Sequence, residues 1–438
     1  MKTGKTLLLS VAMLLAATTV YGQQLNLTLK QAIDIALAEN PTIKVADKDI
    51  ELKRIADEEA WQALLPEASA TATIQHTLLA AEMNLGGNKF KMGRDNTNTG
   101  ALAGTISFPI FAPAVYQNMK LTKQDIELAQ EKARSSRLDL VNQVTKAFYQ
   151  MLLAQDSYKV MQESYNTSKE NYDVVKAKYD VGKVSEYDKI SAEVQMRSMN
   201  SSLVSTETGL TLAELQLKVL MGIDPNVKVS IDDRLENYEN GLQLPDMQSS
   251  AAELGGNSAL RQIDMNRSML ERALKIQRTN FMPTVAFVLN GQYQSLYNSN
   301  WSVWDYDWSP SASFTISVSI PLFRASNWTK LKTSKLQLSQ LDDNRLNTER
   351  QLTMAVESYK QNMASSIAQT QSNKEAVRQA DKAVSIAAKR YEVGRGTILE
   401  LNQSELALTS AQLTYNQSIY DYLVAKASLD YTLGRENY

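Results

Sequence analysis

One stretch of this chain occurs twice, and the rest can be laid out from it. Tyr179-Asp-Val-Gly-Lys-Val-Ser-Glu-Tyr-Asp188 returns as Tyr391-Glu-Val-Gly-Arg-Gly-Thr-Ile-Leu-Glu400, at an offset of 212 residues (391 − 179). Each copy sets an aromatic residue, a Val-Gly break and a basic residue between two long helical patterns. That combination predicts a sharp turn joining a pair of helices. The surroundings repeat too. Pro109, Phe111 and Gly222 match Pro321, Phe323 and Gly434 at the same offset, and Asn40 and Pro66 match Asn257 and Pro283 at 217 (257 − 40). Two copies of helix, strand hairpin, long helix, turn and return helix are therefore expected.

The helical patterns are heptads. Val144, Met151, Tyr158, Tyr165, Tyr172 and Tyr179 fall seven apart, with Ala147, Ala154, Met161, Ser168 and Val175 at the second seam position. The later copy carries Val356, Met363, Thr370, Val377, Val384 and Tyr391, with Tyr359, Ala380 and Ala387. A sustained seven-residue period predicts left-handed coiled-coil packing. At about 1.5 Å per residue, a helix of roughly 65 residues is a rod on the order of 100 Å long. The tyrosines sit on this seam and read as packing rather than as a ligand box. An earlier helical pattern, residues 27–62, is interrupted at Asn40-Pro41, where proline should break or restart it.

Between the helices the period changes to two. Ala68, Ala70, Ala72, Ile74 and Leu78 alternate with Ser69, Thr71, Thr73, Gln75 and Thr77, and after a polar Gly/Asn-rich stretch (84–99) Leu102, Ile106 and Phe108 alternate with Thr105 and Ser107. A second hairpin sets Phe314, Ile316, Val318 and Ile320 against Ser313, Thr315, Ser317 and Ser319, opposite a strand from Thr284 to about Tyr297. A half-buried soluble sheet alternates in the same way. Strands of about ten residues also fit a tilted membrane-spanning barrel. The aromatics Tyr293, Tyr297, Trp301, Trp304, Tyr306 and Trp308 gather at one end of this hairpin. Such a girdle suits a membrane interface, because the rings are amphipathic, with surface recognition as the second reading.

Four strands cannot close a barrel, and lipid tolerates no unpaired sheet edge. Several chains must pool strands, and a trimer supplies twelve, an even number within the range of such barrels. The expected fold is mainly α with a membrane β-barrel, its long antiparallel coiled-coil helices forming a tube. The boundaries follow as a leader (1–22), a first repeat (23–222, strand hairpin 66–109, tip turn near 182), a linker or equatorial segment lying outside the rod (223–255), and a second repeat (256–438, strand hairpin 283–321, tip turn near 394).

The leader reads as an export signal. Lys2 and Lys5 precede an apolar run from Leu7 to Ala17, and Val20-Tyr21-Gly22 offers small residues for cleavage. A net charge of −2 gives no basic footprint for nucleic acid. The chain has no cysteine and a single histidine, His76, so disulfides and thiolate metal sites are excluded and a histidine metal site lacks a second ligand. No catalytic constellation and no phosphate-binding loop appears. No cofactor is expected, and the chain reads as a non-enzyme.

With these residues assembled, the chain resembles the TolC-like outer membrane efflux proteins over essentially all of its length. The resemblance is carried by Leu27-Thr28-Leu29, Gln31-Ala32-Ile33, Ala36-Leu37 and Asn40-Pro41, by Ser107-Phe-Pro-Ile-Phe111 and Ser319-Ile-Pro-Leu-Phe323, and by the doubled Tyr-x-Val-Gly turns. It implies a homotrimer in the bacterial outer membrane, with its helical part in the periplasm. It also implies a passive exit duct of a tripartite efflux or type I secretion system, docking by its tips to a periplasmic adaptor and an inner-membrane pump. A periplasmic coiled-coil adaptor or scaffold without a channel is the alternative. That alternative explains the heptads but has no need of amphipathic strands.

At the turns, Ser185-x-x-Asp188 and Thr397-x-x-Glu400 read as helix-start capping patterns. The resemblance gives a second reading, in which Asp188, Tyr391 and Glu400 restrain a closed aperture. The chain departs from the family where an arginine is replaced by Gly396 and a further acid by Gln403; Arg395 is the available substitute. Val181, Gly182, Lys183, Val393, Gly394 and Arg395 are the adaptor-docking candidates, and the two basic residues among them read equally as solvated. Tyr293, Tyr297, Trp301, Trp304 and Trp308 are the membrane-interface candidates.

Overall fold

The structure, a computed structural model, describes residues 25–246 and 252–436, without the side chains of Leu85, Ala252 and Glu253. The expected leader lies outside the described residues. The chain divides into two compact units. One comprises the residues up to Lys48, Glu131–Gln262 and the chain from Leu346 on; the other comprises Asp49–Gln130 and Ile263–Arg345.

The first unit is helical. A short strand, β1 (Leu25–Asn26), pairs in parallel with β6 (Val229–Ser230). Helix α1 (Leu29–Glu39) begins at a capping box: the Gln31 N–H donates to Thr28 Oγ1 at 3.3 Å, and the Thr28 N–H donates to Gln31 Oε1 at 3.0 Å. The chain restarts as α2 (Pro41–Gln62). Proline is accepted there because the first turn of a helix needs no N–H donor. Helices α3 (Pro113–Asp180) and α6 (Ala325–Glu392) are both 68 residues long, and α4 (Glu186–Met221) and α7 (Ile398–Leu433) are both 36. Such equality of length is what duplication of a single design produces.

The heptad positions face inward. Val144, Ala147, Met151, Met161, Ser168 and Val175 of α3 are buried, as are Val356, Met363 and Thr370 of α6. Tyr158, Tyr165 and Tyr172 are half-buried on the same line. The main core adds Phe148 and Leu152 of α3, Leu217 and Met221 of α4, and Ile419 and Tyr422 of α7.

The repeat also shows in how helix ends are tied. Asn40 donates through Nδ2 to the Leu220 carbonyl at 2.8 Å while its Oδ1 accepts the Thr42 N–H at 2.8 Å. Asn257 does the same to Thr432 (2.7 Å) and Ala259 (2.9 Å) before helix α5 (Ser258–Thr279). Each Asn thus caps one helix and supplies a donor to the carbonyl end of another. At the second crossing the backbones touch: a methyl group on Gly434 would collide with the Gly256 carbonyl.

Residues 223–246 have no sequence period, yet they are fastened to the helices. Leu235 and Ile231 are buried, the Asp156 carboxylate accepts the Leu235 N–H at 3.0 Å, and Lys374 and Tyr415 both donate to Glu239.

The second unit holds a four-stranded antiparallel sheet in the order β2 (Glu67–Thr77), β5 (Thr97–Phe111), β7 (Thr284–Asn298), β8 (Ser309–Ser319). The register aligns the alternation of all four strands. Rows such as Ala68–Ile106–Leu289–Phe314 and Ala72–Leu102–Tyr293–Pro310 lie on one face, and Ser69–Thr105–Asn290–Ser313 and Thr71–Ala103–Gln292–Ser311 on the other. One face is apolar across the sheet and the other is mostly polar. Strand β5 continues past Pro109 to Phe111 with a register shift there, since proline has no N–H for the ladder.

The polar stretch 84–99, expected to be loop, is not all loop. Strands β3 (Ala81–Leu85) and β4 (Asn88–Met92) pair within it. Gly86 and Gly87, with φ of 58° and 92°, form the two-residue connection, and positive φ at both central positions is what such a hairpin requires.

Candidate functional site

The two Val-Gly turns close helices α3 and α6 in the same way. The Gly182 N–H donates to the Tyr179 carbonyl (2.8 Å) and the Lys183 N–H to the Lys178 carbonyl (2.9 Å); at the second turn Gly394 donates to Tyr391 (3.1 Å) and Arg395 to Arg390 (2.8 Å). These paired bonds define a Schellman ending, which needs a left-handed residue after the helix; Gly182 and Gly394 have φ of 70° and 73°. The turns share a small core of Val175, Ala192, Ala387, Ile398 and Leu401, drawn from all four long helices. Around it, Val181, Gly182, Lys183, Val393, Gly394 and Arg395 are all exposed, and Val181 and Val393 are each 67% accessible.

The two acids, equivalent in sequence, behave differently. Asp188 completes a capping box: its N–H donates to Ser185 Oγ at 3.1 Å, and Oδ2 accepts the Ser185 N–H at 3.2 Å and hydroxyl at 2.8 Å. At the second turn only half of this forms. The Glu400 N–H donates to Thr397 Oγ1 at 3.2 Å, but its carboxylate turns away to Arg390, with Oε2 3.5 Å from Nη1. Arg390 also donates through Nη2 to the Arg395 carbonyl.

Tyr391 packs against the shared core. Its hydroxyl is buried and has no hydrogen-bond partner among the described residues. Burial raises its pKa, and the negative charge of Asp188 adds to the rise. Lys178 lies over the Tyr391 ring at 5.2 Å, and Lys189 over Tyr179 at 4.8 Å. Gly396 occupies a close approach, because a Cβ there would lie 3.1 Å from Arg390 Cβ and from the Tyr391 nitrogen. A side chain at 396 would therefore need its neighbours to shift by a few tenths of an ångström, and Arg390 is the guanidinium that meets the second acid. Sequence reasoning passed over Arg390, along with the exposed pair Tyr187 and Leu399. Those two share the 212-residue offset (399 − 187), which was the available signal.

At the loop end of the sheet, Tyr293, Tyr297, Trp301, Trp304 and Trp308 all reach the surface, and Trp304 is 92% accessible. They do not form a simple outward ring. Trp301 stacks on His76 at 5.1 Å, and His76 Nδ1 lies 2.7 Å from Asn98 Oδ1. Trp308 and Tyr306 fold over Gly100, where a Cβ would come within 2.8 Å of the Trp308 ring. Tyr306 is buried, and its hydroxyl donates to the Asn300 carbonyl at 2.9 Å. A second aromatic group, absent from the sequence expectation, stands at the opposite strand ends, where Phe281 meets Trp328 edge-on at 5.1 Å and Phe323 is exposed.

Comparison with known proteins agrees with this arrangement. The sequence profile described as outer membrane efflux protein matches residues 32–223 and 250–435. Among solved structures, the outer membrane protein VceC from Vibrio cholerae superposes with a TM-score of 0.73 at 15% identity, over 93% of this chain and 96% of that one. CusC, from a study of folding and transmembrane channel formation, gives 0.76 at 17% identity over 95% and 96%. The CmeC outer membrane channel of Campylobacter jejuni gives 0.72 at 17% over 95% and 90%. A comparison with curated proteins finds no relative at the level of sequence. The repeat, the apolar-faced sheet, the paired turns and the profile match over most of the chain agree: this chain belongs to the outer membrane efflux protein family.

Proposed function

We propose that this protein is the outer-membrane exit duct of a tripartite efflux or type I secretion system, acting as a passive homotrimeric channel. The observation that carries the reading is the sheet. Its β2 and β8 edges are unpaired among the described residues, and its apolar face crosses all four strands. In lipid each free edge leaves a row of donors and acceptors unsatisfied, at several kcal/mol per group, so the sheet must close with copies of itself. Because every neighbouring pair is antiparallel, β8 of one copy meets β2 of the next in antiparallel sense. Three copies then close twelve strands without an edge.

The helices support the same assembly. Helix α4 exposes Tyr187, Ile190, Val194, Val204, Leu212, Leu215 and Val219, an apolar line left uncovered among the described residues. A neighbouring copy covers such a line in a closed helical wall. The exposed Val181 and Val393 edges, with Lys183 and Arg395 beside them, are the surface offered to a periplasmic adaptor, which connects the duct to an inner-membrane pump. Asp188, Tyr391 and Glu400 line the closing point. The pump supplies the energy, and the duct has no chemical step of its own. Trp301 and Trp304 anchor the loop end of the barrel at the membrane interface.

Fractionation and bilayer recording test the reading. The protein should require detergent for extraction from the outer membrane and should conduct ions in planar bilayers. Recovery from the periplasm without detergent contradicts it and favours a soluble coiled-coil scaffold.

A further inference from the structure

Glu405 is a buried carboxylate that neither the paired turns nor the sheet employs. It lies one helical turn beyond Leu401 on the inward face of α7, a face that continues to Thr409. Opposite, α3 presents Ser164, Ser168 and Asn171. Asn171 Nδ2 donates to Glu405 Oε1, and Thr409 Oγ1 donates to Ser164 Oγ at 3.0 Å. Ser164 in turn donates to Met199 Sδ of α4 at 3.3 Å. Between these rungs, Ser168 Oγ and Glu405 Oε2 are both buried and have no hydrogen-bond partner among the described residues.

Among the described residues no cation pairs with Glu405 across this seam. The inward positions of α3 at this level carry only Tyr165 and Tyr172 as ionisable groups, and those of α4 carry only Glu193, which Arg197 already holds at 2.8 Å. The inward positions of α6 from Asn373 to Ala387 carry none. A carboxylate with one donor and no cation is unstable in such a place, whereas its protonated form is not. Burial accordingly pushes Glu405 up to about 6, with Asn171 pulling weakly the other way.

Position gives this a consequence. Leu401, on the same face one turn before Glu405, belongs to the core that clamps the two turns together. Water drawn in to solvate an ionised Glu405 enters the layer next to that clamp, between α3 and α7. We propose that Glu405 is a proton-operated latch on the α3–α7 seam, closing it when protonated and loosening the paired turns when ionised. The proposal rests on the conduit reading for its effect on conduction, though not for the titration itself.

The sign follows from linkage. An acid raised in the folded state supports the fold fully below its unfolded value of 4.5, and this support is lost as pH rises through about 6. The test uses the full-length, detergent-purified assembly and its Glu405→Gln variant, which keeps the shape and removes the charge. Thermal unfolding should show Glu405→Gln melting above the wild type at pH 8, with the gap closing toward pH 5. In planar bilayers the wild-type open probability should rise roughly tenfold from pH 5 to pH 7, the part of the linkage between 4.5 and about 6 that falls within that span. Glu405→Gln should remain at the wild-type pH 5 level throughout.

Asn171→Leu removes the one hydrogen bond that favours the carboxylate and should move the wild-type midpoint to higher pH. A melting difference independent of pH, or a midpoint unmoved in Asn171→Leu, overturns the titration. A pH-dependent melting difference with matching conductance in both proteins overturns the link to the turns. A wild type that conducts at no pH contradicts the conduit reading instead, and the melting comparison still judges Glu405.

Discussion

Arg390 Nη1 stands 3.5 Å from Glu400 Oε2, while Asp188, the acid equivalent to Glu400, is folded back onto its own helix start at Ser185. Lys178, the residue equivalent to Arg390, lies instead over the Tyr391 ring. Two turns with one backbone geometry therefore carry different side-chain links. A capping carboxylate holds one helix end, whereas a carboxylate paired across a turn joins α6 to α7. Within this pair, we propose that Glu400 carries the larger share in restraining an aperture, while Asp188 chiefly caps its own helix.

Separate substitutions should divide the two roles. Ser185→Ala or Asp188→Asn should cost about 1 kcal/mol of stability, the usual worth of a cap, and leave single-channel conductance near the wild-type value. Glu400→Gln should cost well under 1 kcal/mol, because exposed ion pairs contribute little, yet raise conductance. Paired measurements of melting temperature and conductance check this. Equal conductance gains from Asp188→Asn and Glu400→Gln would show that both acids close the aperture.

The faces of the sheet should respond oppositely to charge. Ile316→Lys, on the apolar face, should lose about 2–4 kcal/mol at the bilayer midplane and reduce the yield of assembled protein. Thr315→Lys, one residue earlier on the polar face, should assemble normally and shift ion preference toward anions. Trimer yield on detergent gels and reversal potentials in a salt gradient separate the two.

The Asn ties should be among the most sensitive points of the helical unit. Asn257 is buried, caps α5 and satisfies the Thr432 carbonyl, so Asn257→Ala should cost about 2–3 kcal/mol through a lost cap and an orphaned acceptor. Gly434→Ala should be worse, since its φ of 67° and the Gly256 carbonyl leave no room for a Cβ. Thermal unfolding ranks these against Asn40→Ala, which should resemble Asn257→Ala.

Acid should free the 223–246 segment before it unfolds the helices. The hydrogen bond from Lys374 holds the Glu239 carboxylate below its usual value of 4.5, with Tyr415 adding to the effect. An acid depressed in the folded state supports the structure above its unfolded pKa and loses that support as pH falls through the lower value. Limited proteolysis near residues 235–243 should therefore accelerate below about pH 4.5. Lys374→Ala should show similar cleavage at neutral pH.

The sequence reveals most of what repeats and least of what depends on distant partners. The offsets of Tyr179 and Gly182 to Tyr391 and Gly394 located both turns, because glycine is needed where the chain turns left-handed. The heptads located the buried line through Val144, Met151 and Val356, since burial there has a period. Alternation in β8 marked its apolar face for the same reason.

By contrast, β3 and β4 alternate only briefly around Gly86-Gly87, with Met83 beside Glu82 and Asn84 and with Phe90 and Met92 beside Lys89 and Lys91, so the surrounding polar stretch hides the hairpin. Tyr306 looks like the other interfacial aromatics, but it is buried, lying with Trp308 over Gly100, which is about 200 residues away in the chain and leaves room for the rings. The segment after Gly222 reads as a linker because the partners that fasten it, Asp156, Lys374 and Tyr415, are remote in sequence. Asp188 and Glu400 appear interchangeable in the repeat. Only the placement of Arg390 against Gly396 separates them.

If one copy supplies a third of a closed barrel, the mass and conductance of the detergent-purified protein reveal it. The expected result is a complex of three chains that inserts into planar bilayers and conducts ions. A stable monomer with no conductance contradicts it.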